Sequence, residues 1–399
     1  MLALISCNNA EDEADAVGRL VTSIPVSLQQ PKVAVGLDRT REGSAEGENN
    51  GDDLIITESF TNGDKLYFSQ LGPSQDPNFS KTPGNPPTTP YLYIYDYKGD
   101  TGATWADGYN FSYNQEEERA VDWDDVRTLG PVGNSFSLYA FYFPIDNAIR
   151  FNVEKDQSEE GNFRKSDIMG AYHATSSLYT RLRFRLFHLM VYLKVTLYVP
   201  VYEDNKSPDA TQGNYEYSGF GPGAVQGAYV LNAATDFSIE WRANRSSDTE
   251  APLAQTASTS AKTNIRMYSH EVSEAIIEDF QVTDYYTDQN ITKDRVRAYQ
   301  YSVLFPAQDW QNGNILCFAL KDVDESIRYF YFAKNQLKGS EASNFGLTQG
   351  TLQQLYLYLP RKTNETILVG AQILPWSPAV TDMTVTEKTT DSGNGENGD

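Results

Sequence analysis

The side chains best able to act as nucleophile, general base or soft metal ligand are two cysteines, Cys7 and Cys317, and three histidines, His173, His188 and His270. The histidines are scattered, and none has a partner at metal-ligand spacing. "SHEVSE" (Ser269 to Glu274) lacks the second histidine of a zinc-protease helix. His188 reads as a satisfied structural histidine. Cys317 lies in the apolar run "NILCFAL" and reads as a small buried hydrophobe. Cys7 differs, because "LISCNNAEDEADA" places it behind a small apolar run and ahead of an acidic one. That pattern fits a thiol that is lipidated and becomes a new N-terminus; the bland alternative is an ordinary cysteine in a polar tail. Only six residues precede it, fewer than a basic segment plus an apolar segment require. The expectation is therefore a start upstream of Met1 or a trimmed one.

Carboxylates are abundant enough to pair by chance. "VDWDDV" and "DVDES" are read as solvated turns and faces rather than as a glycosidase pair. Asp122, Asp124 and Asp125, or the stretch Asp204 to Asp209, could hold calcium, but neither has the spacing of an EF-hand loop. No Gly-x-Ser-x-Gly elbow and no phosphate loop is present. The expectation is a protein that is not an enzyme and takes no cofactor and no metal.

The elements that would position any site are strands. In 399 residues, 26 Tyr and 19 Phe accompany 5 Met, and aromatic residues favour pleated, half-buried surfaces. "KLYFSQ", "YLYIYDY", "FSLYAFYF", "LKVTLYV", "AYQYSVLF", "ILCFALK", "IRYFYFAK" and "QLYLYLP" are short, apolar and punctuated by Gly, Pro, Asn and Asp. The class is all-β. "SHEVSEAIIEDF" is the best helical window, or else the polar start of a strand. In "RLRFRLFHLMVYLKVTLYVP" the apolar set occupies Leu182, Phe184 and Leu186 and then moves to Val191, Leu193, Val195, Leu197 and Val199. A phase change inside one strand would turn its core face to solvent, so the chain must break between Phe187 and Met190, with His188 at the corner.

A net charge of -22, from 54 acidic and 32 basic residues, argues against nucleic acid and anionic lipid surfaces. No run of 18 apolar residues exists to span a membrane as a helix. "REGSAEGENNGDD" (Arg41 to Asp53) and the acidic C-terminus cannot bury enough surface to offset their ordering entropy and are expected to be mobile. "GPSQDPNFSKTPGNPPTTP" (Gly72 to Pro90) reads as a proline-rich surface loop.

The run "SDIMGAYHATSSLYTRLRFRLFHLMVYLKVTLYVP" resembles the signature of the fimbrillin family of Bacteroidetes, the type V pilins and Mfa-like proteins. "FTNGDKLYF", "VDWDDVRTLGPVGNSFSLYAFYFP" and "LYLYLPRKTNETILVGAQILPWSP" are similar to further family segments, in family order, from about Thr57 to Trp376. "RLRFRLF" is more basic than the family pattern, and the tail after Trp376 is longer and more acidic.

The resemblance implies two tandem transthyretin-like β-sandwich domains. The expected division is a lipoprotein segment over 1–19, domains over 20–175 and 176–388 that meet near 172 to 180, and a disordered tail over 389–399. It further implies export as an outer-membrane lipoprotein through Cys7, with Glu11, Asp12 and Glu13 as a surface-sorting signal. Assembly in the family is by strand exchange after proteolysis. Here Arg39 or Arg41, opening the Gly-rich loop, is the candidate cleavage site, with Arg19 a third. The exchangeable strand would carry Leu20, Val21, Ile24, Val26 and Leu28. The implied partners are other pilin subunits, a host surface ligand and the lipid anchor, and the implied place is the cell surface and fimbrium. A buried Trp376 is expected to anchor the last strand. The alternative is a non-polymerising surface lipoprotein that binds glycan or another host ligand, with "YLYIYDYKGDTGATW" as its aromatic platform.

Overall fold

The computed structural model describes residues 23–28, 63–69, 92–97, 109–113, 136–144, 150–175, 184–202, 219–241, 253–259, 262–270, 275–310, 313–322, 324–361 and 363–375. It is almost entirely sheet, as the aromatic alternating runs require; the described helices are short. Seven strands make a closed first sheet: β1 (Ser23–Leu28), β2 (Lys65–Ser69), β3 (Leu92–Tyr97), β4 (Tyr109–Tyr113), β5 (Phe136–Tyr142), β6 (Met169–Thr175) and β7 (Phe184–His188), in the order β1-β4-β3-β2-β5-β6-β7. Where stacked sandwich sheets were expected for this half, the strands form a ring, because β1 pairs on both of its edges. Leu66, Phe68, Tyr95, Phe184 and Leu186 are buried within this sheet system, with Phe68 5.0 Å from Phe184 and 5.2 Å from Tyr95 between ring centroids.

The break predicted from the phase change is present. β7 ends at His188, β8 (Val191–Pro200) begins three residues later, and the chain changes sheet across Leu189 and Met190. That change of sheet lies C-terminal to the 172–180 crossover expected from the sequence, since β6 and β7 both belong to the ring. One described sheet of the second half runs β12 (Lys262–Arg266), β9 (Val225–Ala234), β16 (Asn314–Lys321), β17 (Ile327–Ala333). A second runs β13 (Tyr268–Ser269), β15 (Asn290–Phe305), β8, β18 (Thr351–Tyr358), β19 (Ile367–Pro375), with β14 (Ile276–Thr283) also on β15. β10 (Phe237–Trp241) and β11 (Leu253–Ala257) form a separate ribbon. Ile276–Thr283 is thus a strand, so the apolar end of that window is strand and not helix; residues 271–274 of it lie outside the described residues.

β8 is buried on both faces. The odd residues Val191 to Val199 fill the common core, as their alternation predicts. The even residues are covered by added pieces that no local pattern reveals. Phe163 of helix α1 (Glu160–Lys165) packs 5.8 Å from Tyr192, and Phe280 of β14 packs 4.4 Å from Tyr198.

The halves are joined by the segment from Arg150 to Ile168. Phe151 packs edge-on at 5.9 Å against Phe141, Phe143 and Phe237 alike. The Val153 N–H donates to the Thr235 carbonyl at 2.9 Å and the Gln157 N–H to that of Arg266 at 3.0 Å. Gln157, fully buried, donates from Nε2 to the Leu304 carbonyl at 2.7 Å and accepts from the Leu304 N–H at 2.9 Å. Its amide thereby replaces a missing strand partner. Gln255 does the same for Ala307, and Gln353 accepts from the Gly346 N–H at 3.0 Å. Trp310 is buried against Phe305 and Phe345 and donates from Nε1 to the Leu231 carbonyl at 2.9 Å. Gly346, at φ +75°, permits this, since a Cβ there would lie 2.2 Å from the indole. Trp376, expected to anchor the last strand, lies outside the described residues.

Candidate assembly site

β1 is short and contains Pro25, which has no N–H to give a neighbour. Its partners divide along its length. Ser23 to Val26 run antiparallel to β4, facing Ser112 to Tyr109, whereas Val26 to Leu28 run parallel to β7, facing Phe184 to Leu186. Val26 stands opposite both Tyr109 and Phe184 and is the point where one ladder hands over to the other. By contrast β8 is paired along most of its length, antiparallel to β15 and parallel to β18.

A strand that closes a ring over partial ladders is more easily withdrawn than one held along both edges. Its withdrawal would leave edges of β4 and β7 without this partner, and an unpaired edge is a template for another strand. Of the residues assigned to the exchangeable strand, Ile24, Val26 and Leu28 are on β1. Leu20 and Val21 lie outside the described residues, as do Cys7, Arg39 and Arg41. The parallel pairing with β7 left no sequence signal, because alternation identifies a face and not a neighbour.

The structure also places His188, His270 and Cys317. His188 Nδ1 is 2.5 Å from Asp167 Oδ1, both side chains without solvent exposure, at the corner between β7 and β8. His270 Nε2 is 2.6 Å from Ser302 Oγ, which is also 3.0 Å from the Tyr192 hydroxyl. Ser302 is fully buried and His270 partly so. Burial raises the Cys317 thiol pKa to about 11, and its contact with Tyr331 offsets only part of that rise. Among the described residues no group of three His, Cys, Asp or Glu side chains could hold a metal; Asp122, Asp124, Asp125 and the stretch 204–209 lie outside them. Of the aromatic run 91–105, Tyr95 is a fully buried core residue and not a platform. No described helix is long and apolar enough to cross a membrane.

No protein-family model matches the chain, and no curated protein does. Solved structures similar to it include a cell-adhesion candidate of Bacteroides uniformis, 13% identical over 80% of this chain and 94% of that one with a TM-score of 0.43. A cell-adhesion candidate of Bacteroides ovatus is 10% identical over 92% of this chain and 99% of its own, also at a TM-score of 0.43. The fimbrial anchor protein Mfa2 of Porphyromonas gingivalis is 8% identical over 89% of this chain and 98% of its own, at 0.32. Two of these structural neighbours are thus named as cell-adhesion candidates and the third as a fimbrial anchor protein.

Proposed function

We propose that the protein is a structural and adhesive subunit of a type V fimbria, held at the cell surface through lipid on Cys7 and assembled by strand exchange. The observation that carries this reading is the seating of β1 between β4 and β7 as the strand that closes the ring. Between β1 and β2 lies the Gly-rich, acidic stretch from Arg41 to Asp53. Cleavage after Arg39 or Arg41 would cut β1 from the rest of the chain while leaving β2 to β7 contiguous. Its departure would uncover the Tyr109–Tyr113 and Phe184–His188 edges, and another subunit's strand would fill them. Release from the anchor and opening of the acceptor would then be one event, so polymerisation could not start before the subunit reached the surface.

Replacement of both Arg39 and Arg41 by Ala should leave a lipidated, surface-held monomer, read by electron microscopy of cells and intact-mass measurement. Cys7→Ala should give soluble, mislocalised protein. Normal fibres from the double arginine variant would reject strand release at this loop.

A further inference from the structure

The outer face of the β12-β9-β16-β17 sheet is paved with tyrosine. On β16 the side chains that point away from the core are Cys317 and Ala319, and opposite them stand Tyr229 and Gly227 on β9 and Tyr331 and Tyr329 on β17. The small residues form a floor. A Cβ on Gly227 would lie 2.8 to 3.0 Å from the Tyr229 hydroxyl and ring carbons, so this ring lies down over the glycine. The Tyr331 hydroxyl reaches across to the Cys317 thiol. Ala319 and Cys317 are 7% and 6% exposed beneath these rings, while Tyr329 at their margin is 51% exposed, the most exposed large hydrophobic residue among those described.

Charge separates this face from the rest of the molecule. In a chain of net charge -22, ion pairs near it join Arg266 with Asp156, Lys321 with Glu325 and Arg328 with Asp322. Glu365, bridged to Tyr331, adds an exposed carboxylate beside it. The paving itself, Tyr229, Tyr329 and Tyr331 over Gly227, Ala319 and Cys317, carries no formal charge and so offers neither an anion nor a cation a counter-charge.

Polar groups lie along its edge. The Tyr331 N–H and C=O are used by Asn364 and Thr366. By the alternation of the ladder, those of Tyr329 and Ile327 point the same way, and they have no partner among the described residues. This free stretch ends where the Asn364–Thr366 segment begins, so it is shorter than the five or six residues of an ordinary strand. Strand addition is therefore disfavoured.

We propose that this face binds a neutral sugar chain. Tyrosine rings offer flat apolar surfaces to the C–H faces of sugar rings, and their hydroxyls, with the free backbone groups of Tyr329 and Ile327, serve the sugar hydroxyls. The proposal supplies a ligand for the adhesive part of the function above, resting on that reading only for its biological setting. Strand exchange is not involved, so binding should persist in the Arg39→Ala/Arg41→Ala monomer, and a failure here leaves the assembly proposal standing.

The test is calorimetric titration of the full-length monomer with maltohexaose, cellohexaose and mannohexaose, with hexagalacturonate as the acidic counterpart. At least one neutral hexasaccharide should bind and the acidic one should not. Tyr329→Ala and Tyr229→Ala should each weaken binding about tenfold, Tyr329→Phe should weaken it less because the ring stays, and the distant Ile291→Ala should retain it; melting curves establish that the variants fold. Absence of binding by every neutral probe at about 1 mM, equal binding of the acidic one, or unchanged affinity in Tyr329→Ala overturns the proposal. Hydrogen exchange showing the Tyr329 amide protected by an extended peptide, with no sugar bound, assigns the edge to strand addition and also overturns it.

Discussion

At the scale of single residues the described chain places its strongest polar interactions in structure. Asp294 is 7% exposed and receives Tyr358 Oη at 2.8 Å and Arg361 at 2.6 and 2.7 Å. Burial pushes its pKa up, but the bonds from Arg361 and Tyr358 outweigh burial and hold it below the ordinary value. A carboxyl depressed in the folded state contributes stability above its unfolded pKa of about 3.9 and loses it as pH falls through the folded value. Asp294→Asn should therefore cost about 3 kcal/mol at pH 7, because Arg361 is left without its counter-charge. The gap between variant and parent should shrink below about pH 4. Urea unfolding at pH 7 and pH 3 measures both; a gap independent of pH would mean that Asp294 does not act through its charge.

At the scale of elements, strands differ in how firmly they are held. β1 meets each neighbour over only part of its length and carries a proline, whereas β8 lies within a buried sheet. Hydrogen exchange of the intact protein should show Val26 to Leu28 opening at a free energy well below that of Leu193 to Leu197. Equal protection of the two segments would remove the physical basis for β1 as a releasable strand. The hairpin of β14 and β15 has the opposite role. Its Phe280 and Val282 join Val296 and Tyr358 in a small core of their own, so it acts as a cover for the sheet beneath.

At the scale of the molecule, the ring and the second-half sheets share one contiguous core that includes Tyr67, Phe141 and Phe143 as well as Val191 and Phe318. The weld is Phe151 with its three aromatic neighbours, supported by the Gln157 clamp. A joint of this kind should make the two halves unfold together. Calorimetry of the intact protein should show a single transition, and Phe151→Ala should lower stability by about 3 kcal/mol. Two separate transitions in the parent protein would show that the weld does not couple the halves.

The sequence by itself determined the β class, the odd-numbered core face of Val191 to Val199, and the break between Phe187 and Met190. All three follow from the period of two along a strand, a local property that needs no partner to be seen. His188 as a satisfied buried residue also follows, since a lone histidine in an apolar corner must find one hydrogen-bond partner close by. The tertiary structure alone decided the rest. That β1 lies parallel to β7, that Gln157 serves Leu304, and that Tyr229, Tyr329 and Tyr331 gather over Gly227, Ala319 and Cys317 are matters of register between segments far apart in the chain. Alternation states which side of a strand is apolar, but two strands with the same pattern are equally good neighbours for a third. The choice among them rests on ring closure and on how the whole core packs, and both exist only once the chain has folded.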